Sequence, residues 1–257
     1  MVTQFLHLEN LKLLPILPFL YFDAKKVRKH TPILPPAENP NGVSKSDNKD
    51  QLRVLILGES TMAGLGVKKH AEGFPGAFAD NISKLTGKQI IWEVHAKSGY
   101  TVKQINERII QNINGQFDLI VIGVGGNDAF TLNTTGNWSR DILIMIESLI
   151  SKFPSSKCVF INMPPIHAFP GFTPLLKKTL GKRVELLGRK LKQLTDRIQN
   201  VFYIEEKIEL DQWKQKFDLE NNSEDFFSDG VHPSKLTYQT WAKQVANYIL
   251  DEKILDR

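Results

Sequence analysis

The sequence predicts an α/β protein with a parallel sheet between two layers of helices. From Gln51 onward, five short segments rich in β-branched and aliphatic residues alternate with segments of helical periodicity, the arrangement typical of a parallel sheet. Two of these segments, 52–57 and 119–124, are apolar almost throughout, as expected of central strands covered on both faces. The 257 residues are 41% hydrophobic and 24% charged, which argues against disorder, a fibrous repeat or a polytopic membrane protein.

Each element follows from its own pattern. The predicted strands are 52–57, 90–94, 119–124, 158–161 and 201–204. Apolar residues recur at helical intervals around Met145, Leu187 and Val245, so each of these residues marks a helix with one apolar face. Another helix is predicted to begin at Thr101, because Thr101 and Gln104 have the spacing of a capping box. In folds of this kind, ligands bind beyond the carboxyl ends of the strands.

Charge and cysteine content exclude several classes of protein. The sequence has 33 Lys and Arg and 28 Asp and Glu, which gives a net charge of +5. It contains no long basic block interleaved with aromatic residues, so a nucleic-acid partner is not expected. The single cysteine, Cys158, cannot form an internal disulfide or a multi-cysteine zinc site. The mild excess of positive charge favours proximity to anionic surfaces.

The first fifty residues form an appendage to a predicted domain over 51–257. An apolar run over 13–22 is interrupted by Pro15 and Pro18 and is shorter than the roughly 20 residues that span a bilayer. A basic run follows over 25–29, and 31–50 has the Pro/Asn/Ser content of a linker. The apolar run either packs on the domain's own core or dips into a bilayer surface with the basic run on the headgroups.

The N-terminal residues do not have the pattern of a secretory signal. The first ten residues contain no Lys or Arg, and no convincing cleavage site follows the apolar run. We therefore expect a cytoplasmic protein, with peripheral membrane contact through residues 1–30 if the second interpretation holds.

Polar residues with catalytic potential follow the predicted strands, and their spacing excludes the common alternatives. The segment after the first strand is not a P-loop, because no Gly-Lys pair stands where that motif requires it. It is not the G-x-S-x-G elbow either, since Met62 occupies the last position. Gly123 and Gly125 match the first two glycines of the dinucleotide-binding motif G-x-G-x-x-G, but Asp128 stands where its third glycine is required. No H-E-x-x-H zinc motif is present.

Four separated blocks resemble the SGNH (GDSL-type) hydrolase family, in the family's order. They are Gly58-Glu59-Ser60, Gly99, Gly125-Gly126-Asn127-Asp128 and Asp229-Gly230-Val231-His232. Taken singly, each block has an ordinary structural explanation, such as a helix cap or a turn. All four in order carry the resemblance. Glu59 departs from the family, which usually has Asp there, and this departure puts loop geometry in question more than mechanism.

The resemblance implies a flavodoxin-like α/β/α sandwich with a five-stranded parallel sheet in the order 2-1-3-4-5. It also implies an acyl-enzyme on Ser60, with His232 as the base and Asp229 orienting the imidazole, which is the general logic of a serine triad. The oxyanion hole would consist of the backbone N–H groups of Ser60 and Gly99 and the side-chain amide of Asn127. No metal or organic cofactor is implied.

The predicted function is hydrolysis of carboxylic esters, as in the family's esterases and lysophospholipases. A Pro/aromatic segment over 163–174 could wall an acyl pocket, so the substrate is expected to be a small-molecule or lipid-like ester. Two alternatives remain open. One is an acyltransferase or a carbohydrate deacetylase using the same residues, and the other is a non-catalytic protein that binds membrane surfaces.

Overall fold

The computed structural model describes residues 13–256 except 45 and 47, and within them a six-stranded sheet lies between two layers of helices. The strands are β1 (Asn41–Val43), β2 (Gln51–Gly58), β3 (Gln89–Ala96), β4 (Leu119–Gly123), β5 (Lys157–Phe160) and β6 (Val201–Tyr203). Their order is β1-β3-β2-β4-β5-β6, and every pair from β3 to β6 is parallel. The α/β/α fold is confirmed, and the five predicted strands stand in the predicted order.

The sheet differs from the prediction by one antiparallel edge strand. β1 lies within 31–50, where a linker was predicted, and pairs with Ile91–Glu93 of β3. Its residues Asn-Gly-Val carry no alternating apolar pattern, so nothing in the sequence indicated a strand. Backbone groups of β3 hold the segment: the Val94 N–H donates to the carbonyl of Pro40 at 2.7 Å, and the Ser44 N–H donates to that of Ile90 at 2.8 Å. The segment thereby covers an otherwise open sheet edge.

The helices form two groups, one on each face of the sheet. They are α1 (Leu17–His30), α2 (Phe74–Thr86), α3 (Val102–Arg108), α4 (Gly126–Phe130), α5 (Thr135–Lys152), α6 (Pro174–Thr195), α7 (Leu210–Phe217) and α8 (Lys235–Asp251). Helices α2 and α8 pack together, while α3 contacts α5, and α6 contacts α5, α4 and α1. The core lies between these layers and the sheet, where β4 is buried along its whole length.

Local sequence signals explain where the longer helices begin. The capping box of Thr101 and Gln104 is present at the start of α3. Helix α6 begins after Thr173, whose hydroxyl accepts from the Leu176 N–H, and α8 begins after Ser234, which caps Thr237 in the same way. The predicted apolar faces around Met145, Leu187 and Val245 are all buried.

Helix α1 passes through Pro18, because proline is tolerated in the first turn of a helix, where its missing N–H costs no hydrogen bond. Leu20 is its buried residue, and the carboxylate of Asp23 accepts a 2.5 Å hydrogen bond from the Thr173 hydroxyl. Among the described residues, no helix is long and apolar enough to cross a membrane. Of the segment 1–30, for which membrane contact was predicted, residues 1–12 lie outside the described residues.

Candidate active site

The sheet register brings three of the four sequence blocks to one edge. Gly58, the last residue of β2, pairs with Ala96 at the end of β3 and with Gly123 at the end of β4. The segments that follow these strands therefore leave the sheet side by side, at the carboxyl edge where such folds bind ligands.

Ser60 lies in a compact turn directly after β2. The turn is closed by a bond from the Ala63 N–H to the Glu59 carbonyl at 2.9 Å and by one from the Leu65 N–H to the Ser60 carbonyl at 3.3 Å. The chain takes left-handed conformations at Gly64 and Gly66, where φ is 70° and 103°, and these exclude helical geometry.

The serine turn packs directly on the segment that carries His232. A Cβ at Gly66 would lie 2.4 Å from the Pro233 carbonyl oxygen and 2.6 Å from Ser228 Oγ, so only glycine permits this approach. From the first turn of α8, the buried hydroxyl of Tyr238 donates to the Leu65 carbonyl at 2.8 Å. These contacts hold two parts of the chain together that are about 170 residues apart in sequence.

Asp229 and His232 form a closely bonded pair. Asp229 Oδ2 lies 2.7 Å from His232 Nδ1, and Oδ1 accepts from the backbone N–H groups of Val231 (3.0 Å) and His232 (2.7 Å). The Asp229 side chain is fully covered, while that of His232 is 19% exposed. Burial alone would raise the pKa of Asp229, but the hydrogen bonds and charge of His232 outweigh it and lower that pKa. The aspartate is therefore ionised at neutral pH and fixes the orientation of the ring.

The three predicted oxyanion donors belong to residues that line one cavity. Among the described residues, the backbone N–H groups of Ser60 and Gly99 have no hydrogen-bond acceptor, and Gly99 holds a left-handed φ of 82°. The side-chain amide of Asn127 donates to the Tyr100 carbonyl at 3.1 Å, and it also makes a side-chain hydrogen bond to Glu59. Ser60, Gly99 and Asn127 all line one cavity together with His232.

Glu59 is built into the site through its length. Its buried carboxylate accepts from the N–H of Gly126 at 2.8 Å and from that of Asn127 at 2.9 Å, so it binds the two residues that open α4. Burial raises the pKa of Glu59 to about 8, and the charge of Asp128 adds to this, while the two backbone bonds oppose it. In the sequence, Glu59 is only a departure from the family pattern, and no motif there indicates this contact to the turn that carries Asn127.

The cavity has a volume of about 240 Å³, and most of its wall is apolar. Pro164, Pro165, Ile166 and Phe169 belong to the wall, which places part of the predicted Pro/aromatic segment there. Other apolar wall residues come from separate elements and had no sequence signal: Phe130, Ile208, Leu210, Trp213, Phe227, Val231 and Trp241. The indole N–H of Trp213 donates to Gln244, and that of Trp241 donates to Asn162. These hydrogen bonds hold both rings in place in the cavity wall.

The described residues contain no group of three or more His, Cys, Asp and Glu side chains that could hold a metal ion. Cys158 is buried in β5, and burial raises its thiol pKa to about 12, which suits a packing residue rather than a nucleophile.

Most of the chain matches a known protein family. A model of the GDSL-like lipase/acylhydrolase family matches residues 56–240, a range that contains all four sequence blocks. The match places the protein among the hydrolases of ester substrates. The chain belongs to the GDSL-like lipase/acylhydrolase family. A search among curated proteins returned no match.

Solved structures share the fold at low sequence identity. The extracellular lipase of Streptomyces rimosus is 13% identical with a TM-score of 0.56, over 77% of this chain and 99% of that one. A lipolytic G-D-S-L family member from Veillonella parvula is 15% identical with a TM-score of 0.58, over 77% and 98%. The family 3 carbohydrate esterase of Clostridium thermocellum is 16% identical with a TM-score of 0.55, over 80% and 98%. At these identities the likeness concerns the fold alone.

Proposed function

We propose that the protein is a serine hydrolase of carboxylic esters in which Ser60 is the nucleophile, His232 the general base and Asp229 the residue that orients the imidazole. One observation carries the proposal. Asp229 occupies the Nδ1 side of His232, and among the described residues Nε2 has no protein partner, while the same ring lines a cavity with Ser60. That arrangement leaves Nε2 available to accept the proton of the serine hydroxyl.

The reaction would proceed in two balanced halves. Ser60 Oγ attacks the ester carbonyl while His232 takes the hydroxyl proton, and the same proton then leaves with the alcohol as the acyl-enzyme forms. Water repeats the attack, giving its proton to His232, and the carboxylic acid leaves as Ser60 recovers its hydrogen. The ionised Asp229 stabilises the imidazolium in both halves, because its carboxylate already contacts Nδ1.

The negative charge on the carbonyl oxygen would be bound by the backbone N–H groups of Ser60 and Gly99 and by the side-chain amide of Asn127. Among the described residues, neither backbone N–H has a competing acceptor, and the Asn127 amide lines the same cavity. Removing one such donor typically lowers kcat by about 10²–10³. Glu59 supports this group indirectly, since it holds the backbone of Asn127.

The substrate would be an ester with an apolar acyl group. Phenyl, indole and aliphatic side chains make up most of the cavity wall, and such walls exclude water from an acyl chain while a few polar groups fix the reacting bond. A lipid-like ester fits this wall better than a charged one.

Replacement of Ser60 tests the proposal. Ser60→Ala should lower turnover of p-nitrophenyl esters by at least about 10³-fold, because the nucleophile is removed, while circular dichroism shows an unchanged fold. Ser98→Ala is the matched control, since Ser98 lines the same cavity and should retain turnover within a few-fold. Unchanged turnover by Ser60→Ala would remove the nucleophile assignment. Product analysis with an alcohol or glycan acceptor separates hydrolysis from acyl transfer.

A further inference from the structure

Helix α1 is attached to the domain by one side only. Leu20 is buried, and Ile16, Leu17 and Val27 pack against the core from the same side. This face sits on α6, and it is pinned there by the hydrogen bond from Thr173 to Asp23. The opposite side of α1 therefore points away from the domain.

That outer side divides into an aromatic half and a basic half. In the first turns, Phe19, Tyr21 and Phe22 are 64%, 64% and 65% exposed. In the later turns the exposed residues are Lys25, Lys26, Arg28 and Lys29. Among the described residues, none of these four cations forms an ion pair with a carboxylate. We call these seven residues the α1 outer face.

Three exposed aromatic rings within four residues are costly in water. Burial of such rings is favourable, and aromatic rings favour the boundary between headgroups and acyl chains. The adjacent cations favour anionic lipid, because polybasic segments are attracted to a negatively charged leaflet. An aromatic half beside a basic half is thus complementary to an anionic bilayer surface, and a protein partner of neutral surface would leave the cations uncompensated.

The attached side of α1 is connected to the cavity wall by a short series of contacts. Thr173, which bonds to Asp23, follows Phe172, and the Phe172 ring lies 5.6 Å from that of Phe130. Phe130 lines the cavity and is itself 43% exposed. Gly171, which precedes Phe172, donates its N–H to the carbonyl of Gly230 at 2.9 Å, and Gly230 is the neighbour of Asp229. A short chain of contacts therefore connects α1 to the cavity wall and to the histidine turn.

We propose that the α1 outer face docks the protein on an anionic phospholipid bilayer. The aromatic half enters the boundary between headgroups and acyl chains, and the four cations bind lipid phosphates. Because α1 is joined to the cavity wall through Thr173 and Phe172, docking holds the domain that carries the cavity at the lipid surface. For catalysis this inference rests on the proposed function, because it makes lipid-borne esters the substrates that reach Ser60.

Co-sedimentation with vesicles tests the docking on the full chain. Phosphatidylcholine vesicles with and without phosphatidylglycerol are mixed with wild type and two variants, one with Phe19, Tyr21 and Phe22 changed to Ser and one with Lys25, Lys26 and Lys29 changed to Gln. The matched charge control is Lys49→Gln/Lys84→Gln/Lys88→Gln. These exposed lysines lie near the amino ends of β2 and β3, away from the carboxyl edge that carries the cavity. The matched apolar control is Val43→Ser/Leu85→Ser/Ile144→Ser, which changes exposed side chains elsewhere.

Wild type and both controls should bind anionic vesicles alike, and high salt should weaken the binding. The charge variant should lose affinity on the order of fivefold per lysine, and the aromatic variant at least about tenfold. The proposal would be overturned if wild type bound neutral vesicles as well as anionic ones. It would also be overturned if wild type did not bind anionic vesicles. An aromatic variant that sediments like wild type would overturn it too, as would a wild-type dimer that the aromatic changes dissociate, since the occupant would then be a second copy.

Two activity readouts keep this proposal separate from the proposed function. Both α1 variants should hydrolyse soluble p-nitrophenyl acetate like wild type, while their hydrolysis of a lysophospholipid carried in anionic vesicles should fall with the binding. Absence of any esterase activity would reject the proposed hydrolysis and leave the sedimentation result standing. Equal loss on the soluble and the vesicle-borne ester would instead contradict docking as the cause.

Discussion

At Glu59, a side chain one methylene longer than the family's usual aspartate reaches across the site. Its two oxygens bind the N–H groups of Gly126 and Asn127, which fixes the start of α4 against the serine turn. The sequence identified the position as unusual, but it could not show the contact, because 67 residues separate Glu59 from Gly126. The candidate triad and donor residues were found because they occur in recognisable blocks, whereas a supporting contact of this kind has no sequence pattern.

The buried Glu59 carboxyl should impose a pH dependence on stability. The folded protein retains its proton up to a pKa of about 8, whereas the unfolded chain releases it near 4.5. The free energy of unfolding should therefore fall as the pH rises through this range, by at most about 1.4 kcal/mol per pH unit. The clearest window is pH 6.5 to 8, above the folded pKa of Asp128, about 6, and above both pKa values of His70, about 4 and 6.5.

Urea unfolding of Glu59→Gln across this window measures the effect. The variant should show a flatter dependence than wild type between pH 6.5 and 8, because the titrating group is gone. Glu107→Gln, on an exposed turn of α3, should keep the wild-type slope. Parallel slopes for wild type and Glu59→Gln would show that this carboxyl does not titrate in the window.

At the level of elements, the periodic helices and the five central strands were predictable, since a repeated apolar pattern is a strong local signal. The edge strand β1 was not, because its hydrogen bonds come from β3 and its own residues carry no pattern. Helix α1 was obscured by two prolines, one of which occupies its first turn without breaking it. The geometry of the serine turn was not predictable, because Gly64 and Gly66 take left-handed conformations and Gly66 packs against the histidine segment.

The contact of Gly66 with that segment should be needed for activity. Gly66→Ala places a methyl group 2.4 Å from a backbone oxygen at a positive φ, so the serine turn and the histidine segment must move apart. We expect kcat for p-nitrophenyl esters to fall by about 10²-fold or more, since small displacements of catalytic groups are costly. The fold is checked by circular dichroism in the same samples.

Gly87→Ala is the matched control for backbone strain. Gly87 also has a positive φ, 73°, but a Cβ there meets nothing within 4 Å. It should cost stability of about 1 kcal/mol and leave kcat unchanged. Comparable loss of kcat in both variants would mean that strain, and not the contact between the two segments, is responsible.

Over the whole molecule, the cavity assembles residues from nearly every element that ends at the carboxyl edge of the sheet. The order of the sequence blocks was sufficient to predict the polar side of this cavity. Its apolar side was predictable only for the 163–174 segment, because residues such as Phe130, Leu210 and Phe227 come together through tertiary packing alone. Substrate preference is therefore a property of the folded chain more than of any motif.

The size of this cavity should determine how kcat/KM depends on the length of the acyl chain. Each methylene that enters the apolar wall gains about 0.8 kcal/mol, so kcat/KM should rise by up to about fourfold per methylene from acetyl upward. The rise should stop once the cavity of about 240 Å³ is full. A panel of p-nitrophenyl esters from acetyl to palmitoyl measures this. A maximum at acetyl would mean that the acyl chain lies elsewhere.

The account depends on a hydroxyl, an imidazole and a carboxylate that act together at one cavity. Intact-mass spectrometry and peptide mapping after reaction with a fluorophosphonate test this most directly. We predict one covalent adduct per chain, on Ser60, absent from Ser60→Ala and formed at least about 10²-fold more slowly by His232→Ala. An adduct on another residue, or labelling of His232→Ala at the wild-type rate, would contradict it.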